Sequence, residues 1–238
     1  MFALAPGVPV TLDAVSFAVS AALIASLPRT TRLLRPHRNI RREIAEGMTW
    51  LWKSATLRAM TVLTTALGAV SGALLAMLVV YAHEQLHVAS VGYGLLLGSF
   101  AIGSISGALW APRLMRGHSL RTILGGSVVL TVFVFAGIAA TSVTVVAAIL
   151  LACLGLAVST WNIASVTTRQ RIVPNELLGR VSSAYRASAL TFTTLGALGA
   201  GLLTSATSVS ITMWACAGLT LLGLGLGSRG LRTIQAQS

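Results

Sequence analysis

Four long stretches of the chain contain no charged side chain, and they constrain the fold more than any other feature. These stretches are residues 59–82, 91–112, 122–168 and 187–228. A helix needs about 20 mostly apolar residues to cross a bilayer, and inside lipid a spanning segment must satisfy its own backbone hydrogen bonds. The first two stretches therefore predict one transmembrane helix each. The last two are long enough for two helices each, with turns expected near Thr141–Thr144 and in SATSVS at 205–210.

Residues 8–27 form a further apolar segment, which contains one charged residue, Asp13. The sequence thus predicts an all-α polytopic membrane protein with about seven crossings. The composition agrees, since 9% of the residues are charged and 55% are hydrophobic, whereas about 25% charged residues are usual in soluble domains. The lipid bilayer is therefore the first expected partner.

The distribution of positive charge predicts the orientation of the chain in the membrane. The net charge is +12, and all 17 Lys and Arg residues fall in alternate connections or after the last span. Basic residues are retained on the cytoplasmic side of membrane proteins. We therefore expect a cell-membrane protein, in a bacterial inner or plasma membrane, with a cytoplasmic C-terminus. Because the charge has this role, no nucleic-acid partner is predicted.

Residues 39–52 precede the second predicted span and read NIRREIAEGMTWLW. Their apolar side chains recur at helical spacing, with charged side chains on the opposite face, and Trp50 and Trp52 are typical interfacial anchors. This pattern predicts an amphipathic helix along the inner membrane surface. Regulatory contact with another domain is the alternative interpretation of the same residues.

The sequence HEQLH at 83–87 matches the H-E-x-x-H pattern of zinc peptidases. Such enzymes need a third ligand and an open position for water. By the charge argument His37 and His118 are cytoplasmic, so Asp13 is the candidate third ligand on the outer side. A membrane metalloprotease that uses His83, Glu84 and His87 stays an alternative function. The favoured interpretation is a polar outer cap, with no metal, no cofactor and no enzyme activity.

Polar side chains within the spans are the candidates for a substrate pathway, because they cost free energy in lipid unless they pair or face water. Thr64 and Thr65 lie in the second span, and Trp161 and Asn162 lie in the fifth. Asp13 could titrate and couple transport to protons, or it could be hydrated near the surface.

Glycines four residues apart recur in three spans, and they predict close helix packing. The pairs are Gly68 with Gly72, Gly94 with Gly98, and Gly103 with Gly107.

The connections at 107–117 and 168–186 contain Gly, Pro, Gln and Arg residues in patterns that resemble motifs of the major facilitator superfamily. The stretch TRQRIVPNELLGRVSSAYR at 168–186 is similar to the signature between helices ten and eleven in the branch that includes the enterobactin exporter and drug and macrolide efflux proteins. The stretch GALWAPRLMRG at 107–117 resembles the second copy of the family's loop motif, although the motif's Asp is absent. The opening PVTLDAVSFAVSAAL resembles helix six. The motif residues carried over are Gly107, Arg113, Arg116, Arg169, Gln170, Pro174, Leu178, Gly179, Arg180 and Val181.

The resemblance implies helices six to twelve of a twelve-helix transporter. Residues 1–27 would be helix six, 28–57 the cytoplasmic central loop, 58–228 the C-terminal six-helix half and 229–238 a cytoplasmic tail. The motif residues would serve loop structure and gating. Arg113 and Arg180 would latch onto carboxylates of the other half, and the second and fifth spans would face the central cavity.

The resemblance also implies export of a small amphipathic molecule, of drug or siderophore type, by alternating access driven by proton antiport. Helices one to five have no counterpart in these residues. We therefore expect a fragment or miscalled start of a longer gene, with a missing N-terminal half or a companion chain as partner. A non-transporting half-transporter remnant is the remaining alternative.

Overall fold

The computed structural model describes the backbone of residues 7–26 and 40–232, and every regular element in these ranges is an α-helix. The predicted all-α class is therefore confirmed. The helices are α1 (Gly7–Ala25), α2 (Ile40–Lys53), α3 (Ala55–Glu84), α4 (Ser90–Gly117), α5 (Leu120–Ala140), α6 (Thr144–Ile172), α7 (Asn175–Ala206) and α8 (Val209–Arg232).

The chain divides into two compact units, residues 1–39 and 40–238. The first unit contains α1, whose described side chains from Val10 to Ser26 are all exposed. The second unit contains α2 to α8, and the candidate site lies within it. Residues 27–39, which include the first part of the predicted central loop, fall outside the described part of the chain, whereas its remainder forms α2 and the start of α3.

Six of the described helices, α3 to α8, are long and apolar enough to cross a membrane. The 30 residues of α3, for example, extend about 45 Å at about 1.5 Å per residue, which exceeds a hydrocarbon core of about 30 Å. The apolar part of α1, Val10–Ala25, is shorter. Of the roughly seven predicted crossings, six therefore have membrane length in the described residues.

The predicted turns inside the two longest uncharged stretches are confirmed. A break of three residues separates Ala140 from Thr144, and two residues separate Ala206 from Val209. The stretch 168–186, predicted as a connection, is instead almost entirely helical. Only Val173 and Pro174 separate α6 from α7, because proline has no N–H to continue the helical hydrogen bonds. Most of the motif residues in that stretch therefore lie on helices and not in a loop.

Helix packing within the second unit places the long helices in the spatial order α4, α6, α5, α8, α3, α7, each packed against the next, with α2 against α7 and α3. The helices at the two ends of this order, α4 and α7, are the least buried of the six. Because successive helices are antiparallel, the basic residues of α3 to α8 gather at one end of the unit. We call this the basic end.

Small residues explain the two closest helix contacts. On α4, a Cβ added at Gly103 would overlap the carbonyl oxygen of Ala152 on α6, and one at Gly107 would lie 2.6 Å from the carbonyl oxygen of Leu156. On α3, Gly72 is packed in the same way against the backbone of Thr193 on α7. By contrast, Gly94 and Gly98 have no neighbouring atom within 4 Å of an added Cβ among the described residues.

Within the second unit, the described residues form two apolar clusters. One lies toward the end opposite the basic end and includes Tyr81, whose hydroxyl donates to the carbonyl oxygen of Thr141 over 3.0 Å. The other lies at the basic end, and we call it the basal cluster; it includes Leu57, Met60, Leu124, Trp161 and Tyr185. The candidate site grows out of the basal cluster.

Candidate functional site

Five polar side chains on α3, α6 and α7 form one continuous hydrogen-bonded chain, which we call the polar chain. The indole Nε1–H of Trp161 donates to Thr64 Oγ1 over 3.1 Å, and Thr64 Oγ1 is hydrogen-bonded to the Tyr185 hydroxyl. The same hydroxyl lies 2.7 Å from Ser165 Oγ. Ser165 Oγ in turn accepts from Arg169 Nη1 over 3.2 Å. Three helices are therefore joined through side-chain hydrogen bonds.

The spacing of residues on α6 explains why this chain forms. Trp161, Ser165 and Arg169 are four residues apart, so they lie on one face of the helix. All three are buried, as is Tyr185 on α7, whereas Thr64 on α3 is half-buried. Buried polar groups are costly unless they are hydrogen-bonded. The polar chain therefore satisfies groups that would otherwise destabilise the bundle, and it reaches the surface of the unit at Thr64.

Arg169 is the unusual member of the polar chain. It is 6% exposed, and its guanidinium carbon lies 3.8 Å from the centroid of the Tyr185 ring. Its Nε is buried and has no hydrogen-bond partner among the described residues. No carboxylate of the described residues forms an ion pair with it, since the ion pair seen in these ranges joins Arg180 to Glu46. The polar chain thus ends in a buried cation that no carboxylate of the described residues neutralises.

The four residues predicted to line a pathway separate in the structure. Thr64 and Trp161 are brought together by a direct hydrogen bond. Thr65 is not part of the polar chain, because its hydroxyl donates to the carbonyl oxygen of Val62 in its own helix over 2.8 Å. Asn162 is exposed on α6. The sequence singled out two adjacent threonines, and in the structure only Thr64 belongs to the polar chain.

Asp13, the predicted proton-coupling residue, lies on α1 in the other unit. Its side chain is exposed, and its backbone carbonyl accepts from Ser16 Oγ over 2.8 Å.

The motif residues of α4 occupy different environments. Gly107 is buried against α6. Arg113 and Arg116 are exposed near the end of the helix, and Arg113 Nη1 donates to the carbonyl oxygen of Leu109 over 3.4 Å.

The motif residues around the α6–α7 junction also differ from one another. Arg169 lies inside the bundle, and Leu178 packs against the basal cluster. Arg180 is 2.7 Å from Glu46 on α2, so its observed carboxylate partner lies in the predicted central-loop helix. The exposed members of the motif are Gln170, Pro174 and Gly179.

Two members of the polar chain, Ser165 and Tyr185, were not predicted as site residues, and Arg169 was predicted only as part of a loop. The four-residue spacing of Trp161, Ser165 and Arg169 in the sequence is a signal that could have identified the α6 face. Tyr185 carries no such signal, because its role depends on how α7 packs against α3.

The HEQLH stretch does not form the geometry of a zinc peptidase in the described part of the chain. That geometry needs both histidines on one helix face, but α3 ends at Glu84 and His87 has a left-handed backbone with φ of 52°. Within residues 7–26 and 40–232 no three His, Cys, Asp or Glu side chains are grouped as metal ligands. His83 and Glu84 are exposed, as expected of a polar cap.

Comparison with protein families matches residues 3–237 to a major facilitator family described as transmembrane secretion effector. Comparisons with curated proteins and with solved structures found no match. The family match spans almost the whole chain and agrees with the six membrane-length helices and their packing. The chain is therefore a multi-pass membrane protein that acts in membrane transport, and it belongs to the transmembrane secretion effector family of the major facilitator superfamily.

Proposed function

We propose that this protein exports small amphipathic molecules, of drug or siderophore type, by alternating access. The observation that carries the proposal is the polar chain, which starts at half-buried Thr64 and continues through Tyr185 to Arg169 inside a membrane bundle. Polar groups within membrane spans face the bundle interior or a cavity and mark substrate pathways. The polar chain and its surroundings therefore form the substrate-facing wall.

The residues around the polar chain suit a molecule with polar and apolar parts. Trp161 and Tyr185 belong both to the polar chain and to the basal cluster, where Met60 and Leu63 pack. Aromatic rings with a polar edge provide apolar contact and a hydrogen bond in one side chain. Asn162, exposed beside Trp161, adds an amide to the same region of α6.

A second membrane half is part of the proposal. Alternating access in such transporters is rocking of one half against another around a site near the midplane. Several large apolar side chains on α4 and α7 are exposed, including Leu95, Ile102, Leu198 and Leu202. These exposed faces offer a surface for an N-terminal half or a companion chain.

We further propose a cell-membrane location with the basic end and the C-terminus in the cytoplasm, since positive residues are retained on that side. Asp13 would carry the coupling proton. Arg113, Arg116 and Arg180, at the basic end, would take part in gating.

The experiment expresses the chain together with the coding sequences that adjoin its gene, as the source of the second half, in bacteria that lack their main efflux pumps. It follows energy-dependent extrusion of a fluorescent amphipathic dye. Thr64→Val is expected to slow extrusion about tenfold, because an unsatisfied buried partner costs about 1–3 kcal/mol. Thr65→Val is the matched control, and extrusion should stay within about twofold, because the Thr65 hydroxyl donates to a carbonyl oxygen of its own helix and takes no part in the polar chain. Equal effects of the two changes would contradict the proposed pathway. Membrane-inserted protein with no extrusion would favour the non-transporting remnant.

A further inference from the structure

We infer that Arg169, with Ser165 and Tyr185, forms a binding subsite for an oxyanion, such as the carboxylate, phosphate or sulfonate end of an amphipathic molecule. Only the identification of this molecule as the exported substrate rests on the proposed function. The subsite itself follows from the charge, burial and hydrogen bonding of Arg169.

The first argument is charge. A cation removed from water pays a large desolvation cost, which only a counter-charge with good hydrogen bonds repays. Arg169 is buried, yet no carboxylate of the described residues pairs with it. Arg186, the residue after Tyr185, adds like-charge repulsion at Arg169. An anion bound here would therefore relieve an electrostatic cost that the described protein leaves uncompensated.

The second argument is hydrogen bonding. A guanidinium presents donors in a planar fork that matches the two oxygens of a carboxylate or phosphate. In Arg169, Nη1 donates to Ser165 Oγ, while Nε is buried and unpartnered. The neighbouring groups of the polar chain, the Ser165 and Tyr185 hydroxyls, can also donate. The Nε of Arg169 and these two hydroxyls thus offer hydrogen-bond donors, none of which is paired with a carboxylate of the described residues.

The third argument concerns what covers the cation. The Tyr185 ring lies over the guanidinium, with 3.8 Å between its centroid and the guanidinium carbon. A cation–π contact is weaker than a bidentate ion pair with an oxyanion. An entering anion could therefore replace the ring as the partner of Arg169. The apolar part of the ligand would then lie against the basal cluster, in which Met60, Leu63 and Val181 are buried.

The test compares two dyes that differ in one group. 1-Anilinonaphthalene-8-sulfonate carries a sulfonate, and N-phenyl-1-naphthylamine has the same rings without it. Binding of each to the purified full chain, in a nonionic detergent, is followed by fluorescence and by calorimetry. We expect saturable binding of about one sulfonate dye per chain, at least about tenfold tighter than the neutral dye. A wild-type protein without this preference would overturn the inference.

Arg169→Gln should remove the preference for the sulfonate. Arg171→Gln is the matched control, because it removes the same charge two residues away on the same helix but from an exposed position. The ratio of affinities for the sulfonate and the neutral dye should stay, in the Arg171→Gln protein, within about twofold of the wild-type ratio. If the two variants lose the preference equally, general attraction by the basic end explains the binding and the subsite is wrong.

Arg169→Lys keeps the protein testable if the glutamine variant does not fold. It retains the positive charge but not the fork, so we expect the preference to fall several-fold without disappearing. An unchanged preference in a folded Arg169→Lys protein would contradict recognition by the fork.

The source of the oxyanion is separated by repeating the titration in nanodiscs of phosphatidylcholine with and without phosphatidylglycerol. Competition by the anionic lipid that requires Arg169 identifies a lipid headgroup. Competition by octanoate, but not by octylammonium, identifies a soluble amphipathic anion. Either result supports the oxyanion subsite. Dye extrusion without anion binding would refute the subsite and leave the proposed export intact. Anion binding without extrusion would support the subsite and contradict the proposed export.

Discussion

Arg180 on α7 donates a hydrogen bond from Nη1 to Glu46 Oε2 on α2 over 2.7 Å. The same contact region is tight, because a Cβ added at Gly47 would lie 2.7 Å from the Arg180 carbonyl oxygen. The pair thus fixes the amphipathic helix to the basic end of a membrane-length helix. Leu51 of α2 is fully buried, whereas Ile44, Met48 and Trp52 remain exposed, as expected of a helix that also contacts lipid headgroups.

The Glu46–Arg180 pair predicts a measurable coupling between α2 and α7. Glu46→Gln and Arg180→Gln should each lower stability in detergent, and the double variant should lose less than the sum of the two. Because both side chains are partly exposed, at 30% and 17%, we expect a coupling free energy of about 1 kcal/mol. Thermal unfolding of the four proteins of the cycle measures it, and strict additivity would contradict the coupling.

The tight contact between α4 and α6 predicts that two glycines on one helix respond differently to alanine. Gly103→Ala should destabilise the protein by about 1–3 kcal/mol, because the added methyl group meets the Ala152 backbone and forces the helices apart. Gly98→Ala is the control on the same helix, since its Cβ would have no neighbour within 4 Å among the described residues. Unfolding curves of both variants measure the two stabilities. An equal loss of stability in Gly103→Ala and Gly98→Ala would refute the prediction.

The left-handed backbone of His87 predicts that glycine is favourable there. Non-glycine residues pay about 1–2 kcal/mol in this conformation, and His87 has φ of 52°. His87→Gly should therefore raise the unfolding temperature, whereas His87→Val should lower it. Zinc content, measured by mass spectrometry on the same samples, should not change. A zinc content near one per chain that falls on His87→Gly would instead favour the metalloprotease.

The proposed coupling by Asp13 predicts that its carboxyl group links export to protons. Asp13→Asn should abolish extrusion driven by a pH gradient in proteoliposomes while preserving exchange of labelled for unlabelled dye, because exchange needs no net proton movement. Ser16→Ala is a neighbouring control, since it removes the hydroxyl that bonds to the Asp13 carbonyl and leaves the carboxyl group in place. Gradient-driven extrusion by the Asp13→Asn protein would remove Asp13 from the coupling mechanism.

Hydropathy was sufficient to locate the long helices and the turns between them. The 47 uncharged residues from 122 to 168 had to reverse direction because a single helix of that length would far exceed the bilayer. Hydropathy was less informative at the basic end. The charges of 168–186 suggested a connection, whereas α6 and α7 continue through most of it, because a long helix can carry arginines beyond the lipid core.

The sequence alone determined that this is a membrane protein, that its membrane segments are helices and that the basic residues of α3 to α8 share one end, because these properties depend only on the order of apolar and charged residues. The tertiary structure decided which neighbouring residues differ in role. Thr64 joins the polar chain and Thr65 does not; Arg169 is buried and Arg171 is exposed. Thr64 and Tyr185, separated by 121 positions, share a hydrogen bond. Such differences depend on the rotation of each helix about its axis, and packing against the other helices sets that rotation.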